Sequence, residues 1–168
     1  WNLYQLANAL YPLIEEAKGL EEVLHNFSTT YDAKEQEMLA SKIGLFTNQK
    51  EDVKLLHTLQ ELLQTVETDM TIFYRNLAAF SAVFPLKGLG IIKDSFYALE
   101  ELTEEVIEKW NTWFIAYANR LKQETISKEE RFKKMNTINP KYVLRNYMAQ
   151  IAIDAAEKGD YSVIAELF

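Results

Sequence analysis

The chain contains no cysteine, which excludes a disulfide framework, a thiolate zinc site and a cysteine nucleophile from these 168 residues. That lack fits a reducing compartment. Glycine and proline are scarce, at 5 and 3 residues. No run has the strict alternation and β-branched richness of a strand pair. No apolar run approaches the roughly 18 residues that a spanning helix needs, so no membrane partner is expected. No basic, apolar and small-residue signal opens the sequence. Imidazole is limited to His25 and His57. Repeats of fixed period and low-complexity tracts are missing too. What is present is 48% hydrophobic, 12% aromatic and 26% charged residues of both signs, a composition that argues against disorder. Length and composition lead us to expect one soluble, mostly helical domain.

The fold class expected from periodicity is all-α, an irregular bundle of seven to eight helices joined by short links. Leu3, Leu6, Ala7 and Leu10 form a first stripe, which Pro12 is expected to bend or stop. Leu20, Val23, Leu24, Phe27 and Tyr31 form a second, continued by Met38, Leu39 and Ile43 and closed by Gly44. Asp52 to Val66 predicts a third helix, with Leu56, Leu59, Leu62, Leu63 and Val66 inward. Asp69 and Thr71 open a fourth that carries Met70, Phe73, Leu77 and Phe80. Pro85 to Gly90 reads as an internal loop, and a further loop falls around Ser95–Phe96. The longest helix is expected from about Ala98 to Gln123, with Leu99, Leu102, Val106, Trp110, Trp113, Tyr117 and Leu121 on one seam. Acids in its first half suit the positive end of the helix dipole. Ser127 and Glu130 read as a capping box. Asn139-Pro140 reads as a helix start, with Asn139 as cap and Pro140 at the first helical position. That helix would carry Leu144, Tyr147, Met148, Ile151 and Ala155 inward and stop at Gly159. Asp160 would cap a last helix holding Val163, Ile164, Leu167 and Phe168.

Charge is uneven. Residues 120–145 hold eight bases against three acids, in a chain whose net charge is −7. A net-acidic protein is a poor general binder of nucleic acid, so no nucleic-acid partner is expected. The basic window reads first as a solvated helix face, with an anionic partner as the alternative. Glu22-Val-Leu-His25 has a spacing used for di-iron bundle sites, but only one such motif occurs, and Lys54 stands where a second Glu would precede His57. Nothing resembles a held Ser–His–acid arrangement. Gly88-Leu-Gly90 lacks the strand and the third glycine of a phosphate loop. Trp110 and Trp113 at helical spacing read as core. Arg145 and Asn146, between apolar neighbours near a helix start, suggest a fixed salt bridge, a cap anchor or an anion contact.

One stretch is more specific. Met135-Asn-Thr-Ile-Asn-Pro-Lys-Tyr-Val-Leu-Arg-Asn-Tyr-Met-Ala-Gln150, followed by Ala156-Glu-Lys-Gly-Asp160, closely resembles the C-terminal signature of the selenoprotein O family of protein adenylyltransferases. Trp1-Asn-Leu-Tyr-Gln-Leu, Lys42-Ile-Gly-Leu45, Asp69-Met-Thr71, Phe73-Tyr-Arg75, Trp113, Tyr117 and Arg120-Leu121 resemble other parts of the same family. The resemblance implies a protein-kinase-like enzyme that binds ATP in an inverted orientation with Mg²⁺. Such an enzyme transfers AMP to Ser, Thr or Tyr hydroxyls of protein substrates.

The same resemblance implies that the nucleotide- and metal-binding residues precede Trp1 and that a terminal redox residue follows Phe168. No catalytic, cofactor or metal residue is therefore carried onto this sequence. Arg145, Asn146, Asn139 and Pro140 remain structural or interface candidates. The expectation is a fragment in one helical domain, 1–168. Residues 1–45 would end the kinase-like lobe, and 46–168 would form a family-specific helical region. The expected partner is the missing N-terminal catalytic part, with self-association through the truncated apolar ends. A bacterial parent would be cytoplasmic. The alternatives are a free-standing helical module that binds a partner helix, and a metal or small-ligand bundle.

Overall fold

Each well-capped helix begins where a short polar side chain can accept free backbone amides. The computed structural model describes residues 1–47 and 49–167 and contains nine α-helices among them. They are α1 Asn2–Ile14, α2 Ala17–Lys42, α3 Asp52–Leu62, α4 Met70–Leu77, α5 Gly88–Ile92, α6 Glu104–Leu121, α7 Lys128–Ile138, α8 Asn146–Ala156 and α9 Ser162–Leu167. Short 3-10 turns lie at Pro85–Lys87, Lys93–Ser95 and Leu99–Glu101. An isolated bridge joins Thr68 and Phe96. Asp69 caps α4, Thr103 caps α6 and Ser127 caps α7, each accepting amides of the first turn. The chain is all-α, and among the described residues no helix is long and apolar enough to cross a membrane.

Several boundaries differ from expectation, each for a physical reason. The ninth helix comes from the segment read as a loop, because Pro85–Lys87 coils and Gly88 starts α5. Pro12 does not stop α1, which runs two residues further to Ile14. The 26-residue α2 is the longest helix, since the polar stretch Asp32–Glu37 stays helical in solvent. α6 begins only at Glu104, where the Thr103 hydroxyl accepts the Val106 amide, and Leu99 falls in a separate 3-10 turn, half exposed. Ser127 makes its half of the capping box at 3.1 Å, whereas Glu130 pairs with Lys134 at 3.2 Å. Asp160 accepts the Ser162 amide at the start of α9. Phe168, expected on that helix, lies outside the described residues.

The core is built on α6. Trp110, Trp113, Phe114 and Tyr117 are essentially buried. Phe80 stacks between Phe114 at 5.2 Å and Tyr117 at 5.0 Å, and Tyr117 stacks on Trp113 at 4.8 Å. Such ring pairs add about 0.5–1.5 kcal/mol each beyond their area. α3 covers one side through Leu56, Leu59 and Leu62, with the Trp113 indole donating to the Leu55 carbonyl at 3.0 Å. α4 and α5 cover another side through Phe73, Leu77 and Ile92. Two glycines permit close approach. Gly44, at φ +78°, closes α2 with the Leu45 amide on the Ala40 carbonyl and the Gly44 amide on the Ser41 carbonyl. Gly88 presses against Phe114, so a Cβ there would sit inside the ring.

Two bases of the positive window are internal, which corrects its reading as a solvated face. Arg120 is buried and donates through Nε to Asp52 at 2.5 Å and through Nη1 to Glu124 at 2.8 Å. Its Nη2 donates to the Thr47 carbonyl. Arg131 is buried and donates to the Phe80 carbonyl at 2.5 Å and to the Tyr117 hydroxyl at 3.4 Å. Tyr117 in turn donates to the Ile43 carbonyl, and burial pushes its phenol well above the ordinary range. Burial would raise the pKa of Glu124. The Thr47 hydroxyl, the Phe46 amide and Arg120 outweigh that and hold it below its ordinary value.

Two predictions follow from this packing. Gly88→Ala should lower stability by about 1–3 kcal/mol through overpacking on Phe114. Gly90→Ala, which meets open space, should be neutral or stabilising by up to roughly 1 kcal/mol. Urea midpoints of the two variants check the contrast. The lowered Glu124 pKa gives stability that is full above the ordinary value of 4.5 and is lost as pH falls through the folded value. Glu124→Gln should therefore flatten the pH dependence of unfolding below about pH 5. A wild-type slope in the variant would show that the Glu124 contacts do not carry it.

Candidate functional site

The signature stretch folds as the end of α7, a seven-residue connection, 139–145, and α8. Asn139 is not a helix start. It ends α7 and is buried, and its amide side chain donates to the Lys42 carbonyl at 2.8 Å. The side-chain oxygen of Asn139 is buried without a partner among the described residues. Pro140 lies exposed in the connection, and α8 starts only at Asn146. The Asn-Pro pair therefore stops one helix and steers the chain away, because its amide reaches a distant carbonyl instead of capping locally. Arg75 on α4 closes the same corner. Its Nη1 donates to the Asn136 carbonyl at 2.9 Å and the Asn139 carbonyl at 3.1 Å, two acceptors at the end of α7.

Arg145 holds the far end of the connection. Its Nη2 donates to Asp69 Oδ2 at 2.6 Å, and Asp69 Oδ2 also accepts the Tyr97 hydroxyl at 3.0 Å. Asp69 Oδ1 accepts the Thr71 and Ile72 amides at 2.9 and 3.0 Å. Burial would raise the Asp69 pKa, but these donors more than compensate and it stays below its ordinary value. The bond to Asp69, followed by burial and the Asp69 charge, pushes the Tyr97 phenol up. The main-chain bonds from Asp69 to Ser95 and from Tyr97 to Glu67 fix this register. A carboxylate that accepts four hydrogen bonds is a joint, not a free base. Asn146 sits exposed at the first position of α8.

Beyond this joint the surface turns apolar. Leu144, Tyr147 and Ile151, expected inward, are exposed, and only Ala152 of α8 is buried. α8 packs chiefly on α9. α1 packs chiefly on α2 and has no buried residue. Val23, Phe27, Tyr31 and Met38 of α2 are exposed as well. The stripes are real, but among the described residues they stay exposed.

His57 is exposed, with Glu61 at 3.5 Å, and Glu22 and His25 lie exposed on α2. Among the described residues no group of three or more His, Cys, Asp or Glu could hold a metal ion. A concavity of about 1320 Å³ runs between α3 and α6 over Leu62, Trp113 and Ala116. Sequence reasoning found Arg145 but not its partner. Asp69 was legible as a cap, and its second role with Tyr97 and Arg145 arises from contacts 28 and 76 residues apart.

Comparison with known proteins bears on the whole chain. The family model described as "Protein adenylyltransferase SelO" matches residues 1–168. The protein nucleotidyltransferase YdiU of Flavobacterium johnsoniae is 50% identical over 169 residues, covering 100% of this chain and 32% of the relative. The YdiU proteins of Aromatoleum aromaticum and Rhodopirellula baltica are 44% and 39% identical, over 99% of this chain and 31% and 33% of theirs. The chain thus spans about a third of the length of these curated relatives. Matched from its first residue to its last, this helical chain belongs to the SelO family of protein adenylyltransferases.

Proposed function

We propose that residues 1–168 are the non-catalytic helical region of a protein adenylyltransferase that transfers AMP from ATP to Ser, Thr or Tyr hydroxyls of proteins. Their work is to brace the catalytic part by docking on it. ATP and Mg²⁺ belong to the part of the parent outside this chain. The residues here do not suit a Mg-nucleotide, since among the described residues no cluster of acids could hold the metal ion. The division into residues 1–45, the end of a kinase-like lobe, and 46–168, a family-specific region, is part of this reading. What supports it is that buried core residues begin only at Ala40.

One observation carries the docking. The accessible surface is 11732 Å². A compact monomer of 19.5 kDa exposes about 8500 Å². The excess is more than a third of that expected value, and it accompanies the uncovered apolar residues of α1, α2 and α8. An excess of that size on one partner is well above the roughly 800 Å² per partner of a standard interface and falls in the obligate class. The occupant is the other two thirds of the parent polypeptide, whose length the relatives supply.

The test has two arms. The complete polypeptide should label a protein acceptor from ATP carrying a labelled α-phosphate, while residues 1–168 alone should not. Calorimetry giving micromolar Mg-ATP affinity for 1–168 alone would overturn the non-catalytic reading. Residues 1–168 alone should also self-associate with concentration in sedimentation. Coexpression with the rest of the parent should replace that association with a one-to-one complex. The double variant Tyr147→Asp, Ile151→Asp should weaken that complex, because both positions are exposed here. A strict monomer at millimolar concentration that forms no such complex would instead favour a free-standing module.

A further inference from the structure

The positive window contains one feature that neither packing nor docking has absorbed. Residues 131–145 hold five bases and no acid, in a chain with net charge −7. Arg131 and Arg145 are spent on internal bonds. Arg75 and Lys141 instead meet in a cleft of about 390 Å³ between α4, α7 and the 139–145 connection. Arg75 uses only Nη1 to hold the end of α7, which leaves Nε and Nη2 without an acceptor among the described residues. Lys141 is exposed, with its ammonium 5.0 Å from the Tyr142 ring centroid at the mouth of the cleft. Thr71 and Asn136 add a hydroxyl and an amide to the wall. No carboxylate lines it. The nearest acid at the start of α4, Asp69, is saturated by four donors. α4 itself contains no acid, and the acids of α7, Glu129 and Glu130, sit in its first turn at the opposite end.

We infer that this cleft binds a small phosphate monoester with a flat apolar body. The donors come from three separate elements. That spread suits a tetrahedral dianion better than a carboxylate, which is satisfied by one coplanar pair. Two cations of different geometry, a guanidinium and an ammonium, suit the same group. Phe132 and Tyr142 are both exposed on the cleft wall and offer faces for an apolar ring. The volume exceeds that of a bare ion and fits a small organic ligand. This inference does not rest on nucleotidyl transfer by the parent.

The experiment places the reporter inside the cleft, so that binding at a catalytic site elsewhere is silent. The complete polypeptide is made with 4-fluorophenylalanine at position 132, and its ¹⁹F signal is followed during titration. Phenyl phosphate should shift the signal saturably, and inorganic phosphate should do so more weakly. Lys141→Glu should weaken phenyl phosphate by about tenfold or more, as expected for reversing one charge in direct contact. Lys141 is solvent-exposed and makes no internal hydrogen bond among the described residues, so folding is expected to survive the change. Several results would overturn the inference. One is the absence of a saturable shift with phenyl phosphate. Another is equal binding by Lys141→Glu, and a third is an equal response to benzoate or benzyl alcohol. Displacement of phenyl phosphate by a short single-stranded oligonucleotide at far lower concentration would assign the face to nucleic acid and overturn it too.

Discussion

Backbone carbonyls outside the helix ladders need donors, and in this chain arginine supplies several of them. Four arginines occur in the sequence, and each reaches a part of the fold remote from its own helix. Arg120 takes the Thr47 carbonyl, Arg131 the Phe80 carbonyl just past α4, and Arg75 two carbonyls at the end of α7. A planar guanidinium can serve a carbonyl and a carboxylate together, as Arg120 does with Thr47 and Asp52. Removing one partner from such a buried set costs about 3–5 kcal/mol, because the rest are left unpaired. These ties fix the link between α2 and α3, the exit of α4 and the corner after α7. The aromatic spine of α6 then fills the space they enclose.

Those ties also explain which features could be read from sequence. The α6 core was legible in the spacing of Trp110, Trp113 and Tyr117, since only a buried face needs so many large rings. The caps Asp69, Ser127 and Thr71's neighbourhood were legible because capping is local. Gly88 was misread as a turn residue, because a glycine that permits close approach to Phe114 has the same letter as one that turns the chain. Asn139-Pro140 was misread as a helix start because the Asn139 amide bonds Lys42, 97 residues away. Arg120 and Arg131 were counted as surface charge for the same reason, since the carbonyls they reach lie 73 and 51 residues distant. Periodicity located the apolar face of α8 correctly. It could not say that this face is left exposed among the described residues.

Family membership gives that exposure a meaning. The chain spans about a third of the length of its curated relatives, which is the ground for the proposed docking. The distribution here is not uniform. α3 to α7 enclose a core of fully buried aromatic and aliphatic residues, whereas α1, most of α2, α8 and α9 add almost nothing to it. Polar helices at the rim of a domain are ordinary. Helices that expose tyrosine, isoleucine and leucine in register are not, since exposed apolar patches of that size mark interaction surfaces. The folded centre and the uncovered arms are thus two physical regimes within one chain.

The energetics of α8 bear on the proposed docking. An isolated helix of 11 residues is marginal in water. Its tie to the body is Arg145 with Asp69, a pair in which the arginine side chain is 46% exposed. Half-exposed pairs of this kind contribute about 0–1 kcal/mol. That is enough to set direction but too little to hold a helix in place. Burying Tyr147 or Ile151 would supply roughly 1.5–3 kcal/mol each. Two such residues would exceed the ion pair severalfold. The ion pair therefore acts as a hinge pin that aims α8, and the apolar stripe provides the adhesion once a surface meets it. Because Asp69 also caps α4 and binds Tyr97, the pin is anchored directly on the core.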